Sequence, residues 1–200
     1  MSKINKNIEE LTSSILLNND MYKIPVDVIK IANANDIKVY EGDLERKVSG
    51  AIRYNKEEDK FDILINKNDA RVRQRFTVAH ELGHYFLHQD FLKKEEVHID
   101  IMYRTVGKNE AEIEEEKARE REVDYFAGAL LMNKMLLEKI RNENTIDELA
   151  QIFDVSVSAM TVRLDILGLL WVIITLQKEQ KRISIKLWWN YSINQQKYQK

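Results

Sequence analysis

The residues of this chain best suited to chemistry are His80-Glu81-Leu82-Gly83-His84, an HExxH string. On a helix, side chains four apart lie on one face, so both imidazoles can reach one tetrahedral Zn²⁺. Glu81 is turned by about 100° from His80, which aims its carboxylate at a water on the metal rather than at the metal itself. A helix over about 69–88 is expected here, with an apolar stripe of Val72, Phe76, Ala79, Gly83 and Leu87. His80 falls inside that stripe and His84 at its border, and two histidines on a buried face need partners. A shared cation supplies one. A chance string on an ordinary amphipathic helix is the bland alternative.

A catalytic site needs a third protein ligand that still leaves one coordination position open. A second helix offers Glu120-Arg121-Glu122-Val123-Asp124, with an apolar stripe through Val123, Phe126, Ala127, Leu130 and Leu131. On the helical wheel Glu120 falls between Ala127 and Leu131, inside the stripe, with Asp124 at its edge. Carboxylates facing a core are costly unless paired or metal-bound. Glu120 as ligand and Asp124 as acceptor from a ligand histidine would meet both costs. Glu122, outside the stripe, is the rival third ligand. A solvated helix start is the plain account of these acids, as it is of Glu112, Glu114, Glu115 and Glu116.

The chemistry expected of such a set is hydrolysis of an amide, with Glu81 moving the proton of the attacking water to the leaving amine. An oxyanion donor or substrate contact is expected from His98, Tyr103 or Arg104, and the sequence does not choose among them. An ordinary loop histidine is the plainer account of His98. His88, four residues beyond His84, is read as a helix C-terminal cation or a surface residue rather than a further ligand.

Around these residues the periodicity predicts an α+β chain. Ile4 to Leu17 has helical spacing, and Pro25 opens a short second helix through Ala34. Ile37–Tyr40 reads as a strand, and Val48–Tyr54 with Phe61–Ile65 as a hairpin turning at 55–60. Residues 89–109 show no clear regular element. One long helix is expected over 110–141, two short helices from Thr145, and an apolar strand near 170–176. A further strand is read around Ile183–Trp189, within a polar tail.

Composition bounds the function. The 200 residues suit one domain with a small appendage, and 44% hydrophobic with 32% charged residues is ordinary for a globular chain. A net charge of −2 gives no overall pull toward nucleic acid or anionic membrane. Without cysteine there are no disulfides, thiolate ligands or cysteine nucleophiles. No secretory signal or membrane-length apolar run is visible, so a soluble, cytoplasmic protein is expected.

Arg75 through His88 (RFTVAHELGHYFLH), together with Glu120 through Met132 (EREVDYFAGALLM), resembles the ImmA/IrrE family of bacterial and phage metallopeptidases. Ile24-Pro25-Val26-Asp27 and Ser49-Gly50-Ala51-Ile52 also fit its pattern, and the resemblance spans roughly Ile8 to Leu170. It implies a gluzincin-like, zincin-type αβ domain with His80, His84 and Glu120 as zinc ligands and Glu81 as base. It also implies a helix-turn-helix repressor of a mobile element, prophage or stress response as the protein substrate. Two departures are visible. Val123-Asp124 stands where alanine-asparagine is usual, and Asn133 stands where a proline closes the LLMP string. Both touch helix termination rather than a catalytic group.

On this reading residues 1–141 form the metallopeptidase domain, 142–176 a helix-turn-helix-like segment packed on it, and 177–200 a C-terminal strand and tail. In the segment, Ile146, Leu149, Ala150 and Phe153 pack the first helix, Ser156 caps the second and Gly168 ends it. Between Glu138 and Gly168 six acids face Lys139, Arg141 and Arg163. That balance is a poor match for phosphate-dominated affinity, so packing or substrate docking is preferred over direct DNA binding. Trp171, Trp188 and Trp189 are read as core or edge packing, with a contact surface at an exposed Trp188-Trp189 pair as the alternative. A DNA- or protein-binding regulator with a non-catalytic zinc site is the competing function. Substrate addition to an edge of the 48–54 or 61–65 strand is a further expectation, with small Ser49 and Gly50 allowing close approach.

Overall fold

A computed structural model describes residues 3–18, 21–95, 97–101 and 109–175. The elements run α1 (Lys3–Asn18), α2 (Val28–Ala34), β1 (Lys38–Gly42), β2 (Val48–Asn55), β3 (Lys60–Asn66), α3 (Arg71–Leu87), α4 (Gln89–Glu95), β4 (Val97–Ile101), α5 (Glu110–Leu131), α6 (Lys134–Ile140), α7 (Ile146–Phe153) and α8 (Val157–Ile166). The expected α+β class holds.

The four strands lie in the order β1-β3-β2-β4, with β1 parallel to β3 and the other pairs antiparallel. Asn55 forms the hairpin turn by accepting hydrogen bonds from the backbone of Glu57 and Glu58, and Asp59 takes a left-handed φ of 48°. Both hairpin strands are interior, β3 covered by β1 and β2 by β4. The expected docking of a strand on the hairpin's edge is therefore corrected: those edges are already paired.

Phe61, Ile63 and Ile65 of β3 and Ile52 of β2 face the core, alternating with more exposed positions at the strand period. α3 packs across this face, and α5 packs on α3 from the other side, with α1 beyond it. Residues 77–84 of α3 are consequently all buried, which is more than the one-sided stripe expected from its spacing. A helix buried all round is a central helix.

Local chemistry sets the helix ends. Asp27 caps α2 by accepting from the Lys30 N–H at 3.0 Å, so Pro25 precedes the cap instead of standing in the first turn. Asn109 and Glu112 form a capping box at the start of α5, beside acids that favour a helix N-terminus. The long helix expected over 110–141 is two. α5 stops at Leu131, and Asn133 starts α6 by accepting from Met135 N–H while donating to Ser13 Oγ at 3.0 Å. Residues 89–109, expected to be irregular, contain α4 and β4. Residues 170–175 are helical, not the expected strand, and Trp171 among them is 74% exposed rather than packed as expected. The strand and tail expected over 177–200, with Trp188-Trp189, lie outside the described residues.

In the segment from Thr145, a capping box of Thr145 and Glu148 starts α7. Asp154 ends it in a left-handed conformation, and Ser156 caps α8. Gly168 follows α8 at φ 70°. Leu149, Ala150 and Phe153 are buried as expected. No helix among the described residues is long and apolar enough to cross a membrane.

Buried arginines join the layers. Arg163 of α8 donates to Glu9 of α1 at 2.9 Å and to the Met132 carbonyl at 3.0 Å, while Tyr125 of α5 donates to the same glutamate at 2.8 Å. Burial and Glu9 together push the Tyr125 phenol up to about 12, so it remains a donor. At the other end Arg75 of α3 donates to the Asp154 carbonyl and the Val26 carbonyl, and Arg71 pairs with the Asp154 carboxylate at 2.9 Å. Removing one partner of a buried pair strands the other charge. Arg163→Leu is expected to lower stability by about 3 kcal/mol. The Glu9→Leu, Arg163→Leu pair is expected to recover part of that loss, both read from urea midpoints.

Candidate metal centre

His80 and His84 lie one turn apart on the buried middle of α3, with Nε2 atoms 3.2 Å from each other. Glu120 reaches them from α5, its two oxygens 3.2 Å from His80 Nε2 and 3.5 Å from His84 Nε2. These side chains form a three-residue group able to hold a metal ion among the described residues. Metal–ligand bonds of about 2.0–2.1 Å at tetrahedral angles separate ligand atoms by ~3.3 Å. The spacing found here matches that value, so the donor set fits a small divalent cation and leaves a fourth direction open.

Asp124, one turn beyond Glu120, accepts from His80 Nδ1 at 3.0 Å. A carboxylate can only accept, so the ring proton sits on Nδ1 and the Nε2 lone pair faces the site. Asp124 is itself exposed, an outer handle on a buried ring. Glu122 turns elsewhere: its Oε2 lies 3.6 Å from His88 Nε2. The geometry thus groups Glu120, not its rival Glu122, with the histidines.

His88 is the C-cap of α3 and is mostly buried, which corrects its reading as a terminal cation or surface residue. Burial holds its imidazole below the usual histidine range, against the opposing pull of Glu122. Its role is to pack the end of α3 against α5.

Glu81 is fully buried. Its Oε1 lies beside β2, where a Cβ placed on Gly50 would come within 3.4 Å of it and within 2.4 Å of Thr77 Cγ2. Gly50 therefore lets α3 sit tight on the sheet beside Glu81. It also lies at a register irregularity between β2 and β4, spanning Val48 to Ala51. Ser49 accepts hydrogen bonds from Arg73 at 2.7 and 3.0 Å, a further tie between β2 and α3. Of the expected oxyanion donors, His98 stands in β4 opposite Ile52, whereas Tyr103 and Arg104 lie outside the described residues.

The residue whose role the sequence understated is Gly83. A Cβ there would meet Val123 Cβ at 3.0 Å and Phe126 Cδ1 at 3.2 Å. Its missing side chain sets how closely α5 approaches α3, and hence whether Glu120 and Asp124 reach the histidines. The signal was present: glycine costs a helix interior about 1 kcal/mol against alanine, so its placement between two ligands points to close packing.

A family model for the IrrE N-terminal-like domain, Peptidase M78, matches residues 32–165. The chain belongs to the ImmA/IrrE metallopeptidase family. Metallopeptidase ImmA of Bacillus subtilis (strain 168) is 38% identical over 63 residues, which is 32% of this chain and 36% of that protein. A Mycobacterium tuberculosis transcriptional regulator shares the fold at a TM-score of 0.54 and 18% identity, over 80% of this chain and 46% of the other. The chain thus spans less than half the length of each of these relatives in the matched regions. Within this ImmA/IrrE domain, the matched range contains α3 and α5 entire, and with them the whole group described above.

Asp124→Ala is expected to weaken metal affinity by about 10–100-fold, measured by competition with a chromophoric chelator. Gly83→Ala is expected to weaken it as well, by forcing α5 outward, although it removes no ligand atom.

Proposed function

We propose that this protein is a zinc-dependent endopeptidase that cleaves a helix-turn-helix repressor-type regulator of a mobile element, prophage or stress response. The observation that carries the reading is the meeting of His80 Nε2, His84 Nε2 and the Glu120 carboxylate, with Glu81 next to His80 on the same helix. Two imidazoles and a carboxylate suit zinc. Zinc, when bound, supplies a Lewis acid that polarises the scissile carbonyl and acidifies water.

The chain's own residues do the rest. Asp124 fixes the tautomer of His80 and so the direction of its lone pair. Glu81 takes a proton from the attacking water and returns it to the departing amine nitrogen. Its burial beside Gly50 and Thr77 limits its carboxylate to few orientations. An extended stretch of substrate would pair with the outer edge of β4, which carries no strand among the described residues.

The competing reading is a DNA-binding regulator, in keeping with the description of the mycobacterial fold relative as a transcriptional regulator. It gains little here. Of the three bases counted across residues 138–168, Arg163 is buried against Glu9 and the Met132 carbonyl, out of reach of a phosphate.

Glu81→Gln is expected to bind zinc stoichiometrically and to lose about 10²–10⁴-fold in the cleavage rate of a co-expressed helix-turn-helix repressor. Metal analysis and fragment appearance on gels read the two halves of that expectation. A Glu81→Gln protein that cuts at the unmodified rate removes the assignment of the base.

A further inference from the structure

His88 ends one helix and starts the next. Its N–H donates to the His84 carbonyl at 2.9 Å, and its own carbonyl accepts from Phe91 N–H at 3.0 Å and Leu92 N–H at 3.1 Å. The corner between α3 and α4 is therefore pinned at this residue, and its ring has a fixed origin. That ring is mostly buried and lies beside the His84 ring, centroids 6.1 Å apart.

From this corner the contacts run to α5, just before and just after Glu120. His88 Nε2 stands 3.6 Å from Glu122 Oε2, and the Arg119 backbone hydrogen-bonds the ring. The Arg119 guanidinium in turn lies over the Phe91 ring of α4, 4.1 Å from its centroid.

The helical wheel shows what this grip controls. Val123 and Phe126 form the line on which α5 meets Gly83, and Arg119 continues that line toward α4. Glu122 stands on one flank of the line; Glu120 and Asp124 stand on the other. Glycine at the crossing sets how far apart the two helices lie, not how α5 is rolled about its own axis. A roll of about 10° moves a side-chain end lying ~6 Å from the axis by about 1 Å. Ligand distances at a metal tolerate only about 0.2 Å. Something on the far flank must hold the roll.

The geometry points to His88 as a positioning residue: set against Glu122 and Arg119, it stops α5 from rolling, so that the Glu120 carboxylate meets His80 and His84. It does this without being a ligand itself. The assignment rests on the reading of His80, His84 and Glu120 as a metal group.

Cobalt(II) added to the full chain reads the site in two ways. Competition with a chromophoric chelator gives affinity, and the visible absorption of the bound ion reports its coordination geometry. His88→Leu is expected to weaken affinity by about 10–100-fold and to alter the visible band. Glu122→Ala is expected to act in the same direction. The double variant is expected to bind no more weakly than His88→Leu alone, because the two side chains act through one contact. Leu92→Ala, which removes buried packing from α4, is the control for lost stability; its urea midpoint should fall while cobalt affinity stays unchanged.

Losses that add in the double variant would make Glu122 act separately on the ion, and they overturn the proposal. Unchanged affinity in His88→Leu overturns it, as does an equal loss of affinity in Leu92→Ala. If circular dichroism shows that His88→Leu does not fold, Glu122→Ala decides, and unchanged affinity there is equally fatal. An unmodified chain that takes up no cobalt removes the metal reading and this proposal with it. An unmodified chain that binds, with variants that bind as well, removes this proposal alone.

Discussion

The metal centre depends on how closely α5 can cross α3. Neither helix holds the whole candidate group alone: α3 supplies two imidazoles one turn apart, and α5 supplies the carboxylate and the acceptor that orients His80. The crossing point is Gly83 against Val123 and Phe126, where even one methyl group would lack room. Because the interior is close-packed, an error of a few tenths of an ångström there passes directly to the ligand atoms. The sheet meets α3 under a similar constraint at Gly50. The central helix is thus packed closely on both sides, most tightly at Gly50, where an added Cβ would come within 2.4 Å of Thr77 Cγ2.

Polar side chains hold that arrangement from outside. Arg73 fastens α3 to β2 through Ser49, and Arg75 fastens it to Val26 and to the turn after α7. Asn66 is buried at the end of β3, where it donates to the Val48 carbonyl and its own carbonyl accepts from Gln74. Asn66 is buried and Arg75 largely so, and polar groups there are costly when unmatched; both are matched to backbone carbonyls elsewhere in the chain. They fix the relative placement of strands and helices, which apolar contact alone leaves adjustable.

Much of this was legible in the sequence. The HExxH spacing placed α3 and its two histidines, and the wheel position of Glu120 inside an apolar stripe distinguished it from Glu122 without any structural information. The hairpin, the N-terminal helix and the capping serine of α8 were read from local patterns, which act over a few residues. The signal for β4 was local and passed over: Val97, Ile99 and Ile101 alternate with His98 and Asp100. The other misses are non-local. The break at Asn133 is a side-chain cap that also binds Ser13 of α1, a contact across 120 positions. The buried histidine at position 88 looked like a surface cation because nothing nearby in sequence reveals Glu122 and α5 above it.

The double tether of α7 and α8 has a consequence for how this chain can be divided. Ending the polypeptide after residue 141 would delete Asp154 and Arg163 together, leaving Glu9 and Arg75 without their ionic counterparts in places water enters poorly. The helical pair is therefore tied into the fold at two points rather than hung on it. It is bound in from both sides, and its loss would leave α1 and the start of α3 each lacking a charged partner.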